Sequence, residues 1–259
     1  MSSMNQKLKK TINKFLITGT SSGLGKYLHQ QLGGIPFKKD SADRKETEIL
    51  IHCAFNRARV ISSENLYQYI SDNIFLTKRL TTIPHRKFIY ISSVDVYPKD
   101  NKVHTEEENI DVNLVKGMYA LCKLIAESIV KKSCSNFLVL RCSSLLGKDS
   151  KENSLIKIVK EENPTLTLSA SSVFNYILHT DVLEFIKIAI EKDLQGIYNL
   201  ASSENITLSE ITELLGKKVS FGHYMYNVGN INNSKVCKLL PSLKKNSREA
   251  INEFTKLIV

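Results

Sequence analysis

Residues 15–25, FLITGTSSGLG, drive an apolar, β-prone run directly into three glycines within seven positions. Glycine weakens strand and helix interiors, so three of them here mark either a plain turn or a main chain that passes close to something else. The run KFLIT (14–18) reads as a strand, and a helical pattern opens at about residue 23. Glycines placed after a strand and at the start of a helix are the context a dinucleotide-binding turn requires. In that arrangement Gly19 permits the tight turn, Gly23 lets the main chain approach a pyrophosphate, and Gly25 allows the helix to lie close on the strand. The helix N-terminus adds unpaired N–H groups and a favourable dipole. Thr20, Ser21 and Ser22 can supply hydroxyls, with Leu24 in the same turn.

Working outward, further short apolar runs rich in β-branched and aromatic residues appear at 48–54 (EILIHCA), 87–93 (KFIYISS), 136–142 (NFLVLRC) and 196–200 (GIYNL). Helical patterns lie between and after them, at about 23–32, 62–82, 111–133, 153–161, 181–192, 207–216 and 245–257. This alternation predicts an α/β fold, a Rossmann-like, doubly wound parallel sheet with helices on both faces. Ligands in such sheets bind beyond the carboxyl ends of the strands, so the residues just after each strand are the candidates.

The 259 residues, 42% hydrophobic, suffice for one large core. No apolar run is long enough to span a bilayer, and the basic first residues are not followed by a signal-type apolar stretch, which predicts a cytoplasmic protein. The five cysteines are odd in number and contain no C-x-x-C pair, as reduced buried thiols would. The net charge of +10 suits an anionic ligand, but the lysines are scattered and read mainly as solvated surface. No aromatic–basic motif points to nucleic acid, and the six histidines never fall at metal-ligand spacing.

Of the ten tyrosines, only Tyr119 has a lysine four residues on, Lys123, and both lie on one face of an apolar-periodic helix. Ser92 and Ser93 end the strand 87–93, where a sheet presents a ligand. With the spacing G-x-x-x-G-x-G, these residues resemble the short-chain dehydrogenase/reductase superfamily, many of whose members carry TGxxxGxG at this position. The resemblance selects Ser93, four residues before the aromatic Tyr97, as the catalytic Ser/Thr, with Ser92 in support. It implies that Tyr119 exchanges a proton with a substrate oxygen as hydride moves to or from a nicotinamide. Ser93 would orient that oxygen. A phenol is a poor base near neutrality, so Lys123 would favour its ionised form while holding the ribose.

Further matches run over about four-fifths of the chain and resemble the extended, nucleotide-sugar branch (the NAD-dependent epimerase/dehydratase family): LIHCA (50–54), Asn73, LVLRCSSLLG (138–147), ILHTDVLEFIKIAI (177–190) and GIYNLASSENITLSEI (196–211). The resemblance implies cofactor contacts at Cys53, Ala54, Phe55, Asn73 and Ile91, besides the glycine turn, Tyr119 and Lys123. It implies substrate contacts at Ser93, Val94, Tyr119 and Ser144. A small C-terminal substrate lobe, from parts of about 145–180 and 201–259, would complete a single domain spanning 13–259, after an extension at 1–12. His179 reads as a packing histidine at a helix start, with Asp181 in the cap.

Four departures stand out. The glycine spacing is not that of the extended branch; only 25 residues separate Gly25 from Ile51; Cys142 replaces the usual proline after LR; and the C-terminal lobe is short. The second strand, GIPFKK (34–39), ends in Lys38 and Lys39 before Asp40, so NAD or NADP fits, with a lean to NADP through the two lysines. Val94 stands where a dehydratase carries an acid, with Asp95 one residue later, which favours an epimerase or reductase acting on a nucleotide-linked sugar. The alternative is a non-catalytic dinucleotide-binding sensor or scaffold. The helices at 62–82 and around Tyr119 form the usual dimer surface of the superfamily, which implies a homodimer.

Overall fold

Six parallel strands carry the molecule: β1 (Asn13–Thr18), β2 (Ile35–Pro36), β3 (Thr47–His52), β4 (His85–Ser93), β5 (Phe137–Cys142) and β6 (Gly196–Leu200). The computed structural model describes residues 13–39, 46–58 and 60–258. The strands lie in the order β6-β5-β4-β3-β1-β2. The register is tight, with Ile51 opposite both Ile17 and Ile89, and Ser93 opposite Cys142. The order reverses between β1 and β3, which opens a crevice above their carboxyl ends.

Alternate side chains leave each strand on opposite faces, and both faces are covered. Ile17, Ile49, Ile51, Ile89, Leu138 and Leu140 pack under α1 (Gly23–Leu32) and α6 (His179–Glu191). Leu16, Leu50, Phe88, Tyr90 and Val139 pack under α3 (Leu76–Leu80) and α4 (Met118–Ser133). A second, smaller core joins Leu146, α5 (Ser154–Lys160), α7 (Leu208–Leu215) and α8 (Ser247–Ile258) around Tyr176 and Phe254.

The sequence reading and the structure part at definite places. The helix expected over 111–133 begins at Met118, because Gly117 sits at φ 84°, in the left-handed region; a single 3-10 turn, Val112–Leu114, precedes it. The helix expected over 62–82 is α2 (Ser63–Ile70) continued through a π-turn, Ser71–Phe75, into α3. The strand expected over 34–39 shortens to Ile35–Pro36, since Gly34 lies at φ 96° and Phe37 turns onto the α3 side of the sheet. Asp40 lies outside the described residues.

Candidate active site

The glycine turn is built for close approach. Gly19 and Gly23 occupy left-handed φ, 72° and 59°. A Cβ on Gly19 would stand 2.9 Å from the Ala54 nitrogen, and one on Gly25 would collide with the carbonyls of Gly19 and Thr18. Three separate backbones therefore meet where side chains would hold them apart. Thr18, which the sequence reading missed, ties them: its Oγ1 accepts from the Cys53 and Ala54 N–H groups at 3.0 and 2.9 Å and bonds the His52 ring at 2.8 Å. Leu24 is buried by its side chain, whereas Thr20, Ser21 and Ser22 stay at least partly open. Among the described residues nothing accepts from the Leu24 or Gly25 N–H, as befits the first turn of a helix facing an anion. These residues fit a dinucleotide pyrophosphate.

The loop after β3 forms the next wall. Asn73, turned inward by the π-turn, is fully committed to its main chain: its Oδ1 accepts from Asn56 N–H at 2.7 Å and its Nδ2 donates to Asn56 O at 3.2 Å. The Asp72 carboxylate takes Asn56 Nδ2 at 2.9 Å and also the Lys39 ammonium. One of the two lysines expected at an NADP phosphate is thus neutralised by Asp72, while Lys38 is exposed. Phe55 lies edge-on to Tyr119 with centroids 5.0 Å apart.

Ser93, Tyr119 and Lys123 converge at the end of β4. Ser93 accepts the Asp95 N–H at 3.1 Å, and its side chain lies next to the Tyr119 phenol. Tyr119 keeps 36% of its surface exposed. Burial pushes the phenol's pKa well above the ordinary value and Asp95 adds to this, whereas Ser93 and Arg57 pull it down. Lys123, one turn on, is buried; its ammonium donates to the Ile91 carbonyl at 2.7 Å and lies 4.3 Å from the Phe55 centroid and 4.9 Å from that of Tyr90. Burial lowers its pKa to about 8 against the opposing pull of Cys142, Cys53 and Glu127. The Lys123 ammonium lies 6.0 Å from the Tyr119 ring centroid. With its pKa raised, Tyr119 is a phenol at neutral pH, ready to donate a proton.

Beneath the site runs a buried polar network. Ser92 donates to Glu127 Oε1 at 2.5 Å, and Glu127 holds Arg141 through contacts at 3.1 Å (Nε) and 2.8 Å (Nη2). Arg141 also donates to Tyr97 Oη at 2.8 Å, which donates to Asn199 at 2.7 Å. Glu127 stands four residues after Lys123 on α4, the one sequence signal that could have marked it. Asp95 is the hub on the other side: its Oδ1 accepts from Lys99 at 2.8 Å and from Tyr226 at 2.9 Å, and its Oδ2 lies 3.4 Å from Ser93 Oγ. Tyr226 thus brings the expected C-terminal lobe, from its part at 201–259, to the site.

Val94 is 1% exposed, packed with Val96, Tyr97 and Val228, so its side chain offers nothing to a ligand. Ser144 is half-buried and its N–H is tied to Asn175 O. His179 is buried against Gly147 and 5.6 Å from the Tyr27 ring, and Asp181 accepts the Leu178 N–H at 2.8 Å as a cap. All five cysteines are free. Among the described residues no cluster could hold a metal, and no helix is long and apolar enough to cross a membrane.

Comparison with known proteins gives one family and one fold. The model of the NAD dependent epimerase/dehydratase family matches residues 36–201. Among solved structures, UDP-glucuronic acid 4-epimerase from Bacillus cereus, as a tyrosine-to-phenylalanine mutant with a fluorinated UDP-glucuronic acid and NAD, superposes with a TM-score of 0.78 at 17% identity, over 95% of this chain and 98% of that one. A dTDP-4-dehydrorhamnose reductase from Clostridium acetobutylicum does so at 0.76 and 18% identity, over 95% and 99%. The corresponding reductase from Bacillus anthracis, in complex with NADP, gives 0.74 and 19%, over 93% and 98%. No curated protein matches the chain.

Proposed function

Because the chain belongs to the NAD dependent epimerase/dehydratase family, we propose that it is an NAD(P)-dependent epimerase or reductase of a nucleotide-linked sugar. The observation that carries this reading is the convergence of Ser93, the Tyr119 phenol and the buried Lys123 ammonium, 6.0 Å from the Tyr119 ring centroid, at the carboxyl end of β4. The dinucleotide would lie along Gly19–Gly25 and the loop Cys53–Asn56, and its nicotinamide supplies hydride transfer when bound. Ser93 then hydrogen-bonds the sugar oxygen. Tyr119 donates its proton to that oxygen on reduction and takes it on oxidation. Lys123 would have to leave the Ile91 carbonyl, or share it, to reach the ribose and favour the phenolate. Asp95 keeps Tyr119 protonated until then. The cytoplasm, a pathway to surface polysaccharide and a substrate lobe built on the second core belong to the same reading. So does a homodimer, for which Leu66, Tyr67, Phe75 and Ile125 leave apolar surface exposed on α2, the π-turn and α4.

The test is turnover of UDP-glucuronic acid, UDP-glucose and dTDP-4-dehydrorhamnose with each dinucleotide. Absorbance at about 340 nm follows net reduction, and chromatography of the sugars follows epimerisation. Tyr119→Phe removes the proton donor and should lower the rate about 10²–10⁴-fold while leaving dinucleotide affinity intact. A dinucleotide that binds wild type with no turnover of any sugar would favour the non-catalytic reading.

A further inference from the structure

The loop that follows Leu146 lies across the start of α1. Ser150 N–H closes a turn on the Gly147 carbonyl at 3.0 Å, and Asp149 at its tip makes two contacts with the glycine turn. Its main-chain carbonyl accepts the Gly23 N–H at 2.7 Å, and its carboxylate takes the Lys26 ammonium at 2.6 Å. The loop is also seated from below. Gly147 lies so close to the His179 ring that a Cβ would collide with it, Ser150 Oγ is 3.4 Å from His179 Nε2, and His179 rests on Tyr27 of α1. The loop is therefore fixed to α1 and α6 together. A carboxylate suits a helix N-terminus electrostatically. It stands beside the donors a diphosphate needs rather than on them, since the Leu24 and Gly25 N–H groups have no acceptor among the described residues.

We propose that residues 147–150 form a strap, latched by Asp149 to Gly23 and Lys26, that holds the dinucleotide in its cleft between turnovers. This rests on the dinucleotide reading above. Release requires the latch to open, so the strap lengthens residence. A long residence suits a redox-neutral reaction, in which the hydride and proton taken from a sugar carbinol, leaving a ketone, are returned to that same carbon and oxygen. A net reduction would require a fresh reduced cofactor at every cycle.

The test is a stopped-flow displacement experiment on the intact protein. NADH and, separately, NADPH are preloaded and chased with excess oxidised dinucleotide, for wild type, Lys26→Met, Asp149→Asn and the reversed pair Lys26→Asp/Asp149→Lys. With side chains 41% and 20% exposed, the ion pair is worth at most about 1 kcal/mol, so each single variant should release ligand up to about fivefold faster. Salt should speed release from wild type and not from the variants. Asp149→Asn decides the matter. As a bare charge near a diphosphate, Asp149 would repel the ligand and its removal would slow release; as a latch, its removal speeds it. The reversed pair should restore part of the residence time. Release within about twofold of wild type from both single variants, or slower release from Asp149→Asn, overturns the strap while leaving the dinucleotide site standing. Failure of wild type to bind either ligand overturns the site itself, and the strap with it.

Discussion

Glu127→Ala tests how the active-site floor is held. Glu127 is 1% exposed and carries two partners: Arg141 through two nitrogens at 3.1 and 2.8 Å, and Ser92 at 2.5 Å. Arg141 is itself buried, and its guanidinium pKa is driven up, by the Glu127 bond first among the favourable contacts. Truncating the acid strands a buried cation, which costs about 3–5 kcal/mol. Against a total stability of about 5–15 kcal/mol the protein should remain folded at 25 °C, with Tm lowered by roughly 6–20 °C. Removing both charges with Glu127→Leu/Arg141→Met should recover most of this, because Tyr97 retains its bonds to Asn199 and the Thr105 carbonyl. Urea denaturation of wild type, Glu127→Ala, the singles Glu127→Leu and Arg141→Met and their double variant measures the loss and the coupling. A loss below about 1 kcal/mol for Glu127→Ala, or a double variant as unstable as the sum of the singles, would refute the argument.

The remaining predictions concern acid stability and assembly. Burial holds His52 at about 3 and His179 at about 4, so between those values and 6.5 the unfolded chain binds more protons than the folded one. Stability should therefore fall as pH drops below 6.5, by up to about 1.4 kcal/mol per pH unit for each histidine. His179→Gln should flatten that slope by one proton between pH 4 and 6.5 in urea titrations, and an unchanged slope would count against a buried neutral ring. Tyr67→Glu, on the exposed face of α2, should convert the proposed dimer to monomer in sedimentation equilibrium without changing far-ultraviolet dichroism; a wild type that is already monomeric would remove that proposal.

Much of this architecture is legible in the sequence because it is local. The strand-to-helix step at Gly19–Gly25 and the extent of α1 follow from glycine placement and apolar periodicity, and the helix begins and ends at 23 and 32 as read. The five long strands follow from short apolar runs flanked by polar residues. What escaped needed tertiary information. Gly117 read as part of a helix because periodicity records which residues are apolar, not which φ a glycine adopts. Asn73 faces the loop after β3 only because a π-turn rotates it there. Lys39 looked available for a phosphate, and only folding brings Asp72 against it. Tyr226 meets Asp95 from 131 positions away, so no local spacing could pair them. The residues Ser93, Tyr119 and Lys123 were found as a pattern, but their electrostatics were not. Burial and Asp95 hold Tyr119 as a phenol, and Lys123 is engaged with Ile91.

The central claim is that the glycine turn and the loop after β3 form a dinucleotide site. Isothermal titration of wild type and Gly25→Ala with NAD, NADH, NADP and NADPH tests it most directly. A Cβ at position 25 would collide with the Gly19 and Thr18 carbonyls. The account predicts that at least one dinucleotide binds wild type at one site per chain. It also predicts that Gly25→Ala, still folded by circular dichroism, loses that affinity by at least about tenfold, a difference of ~1.4 kcal/mol. Absence of heat with all four at millimolar concentration, or equal affinity in a folded Gly25→Ala protein, would contradict it.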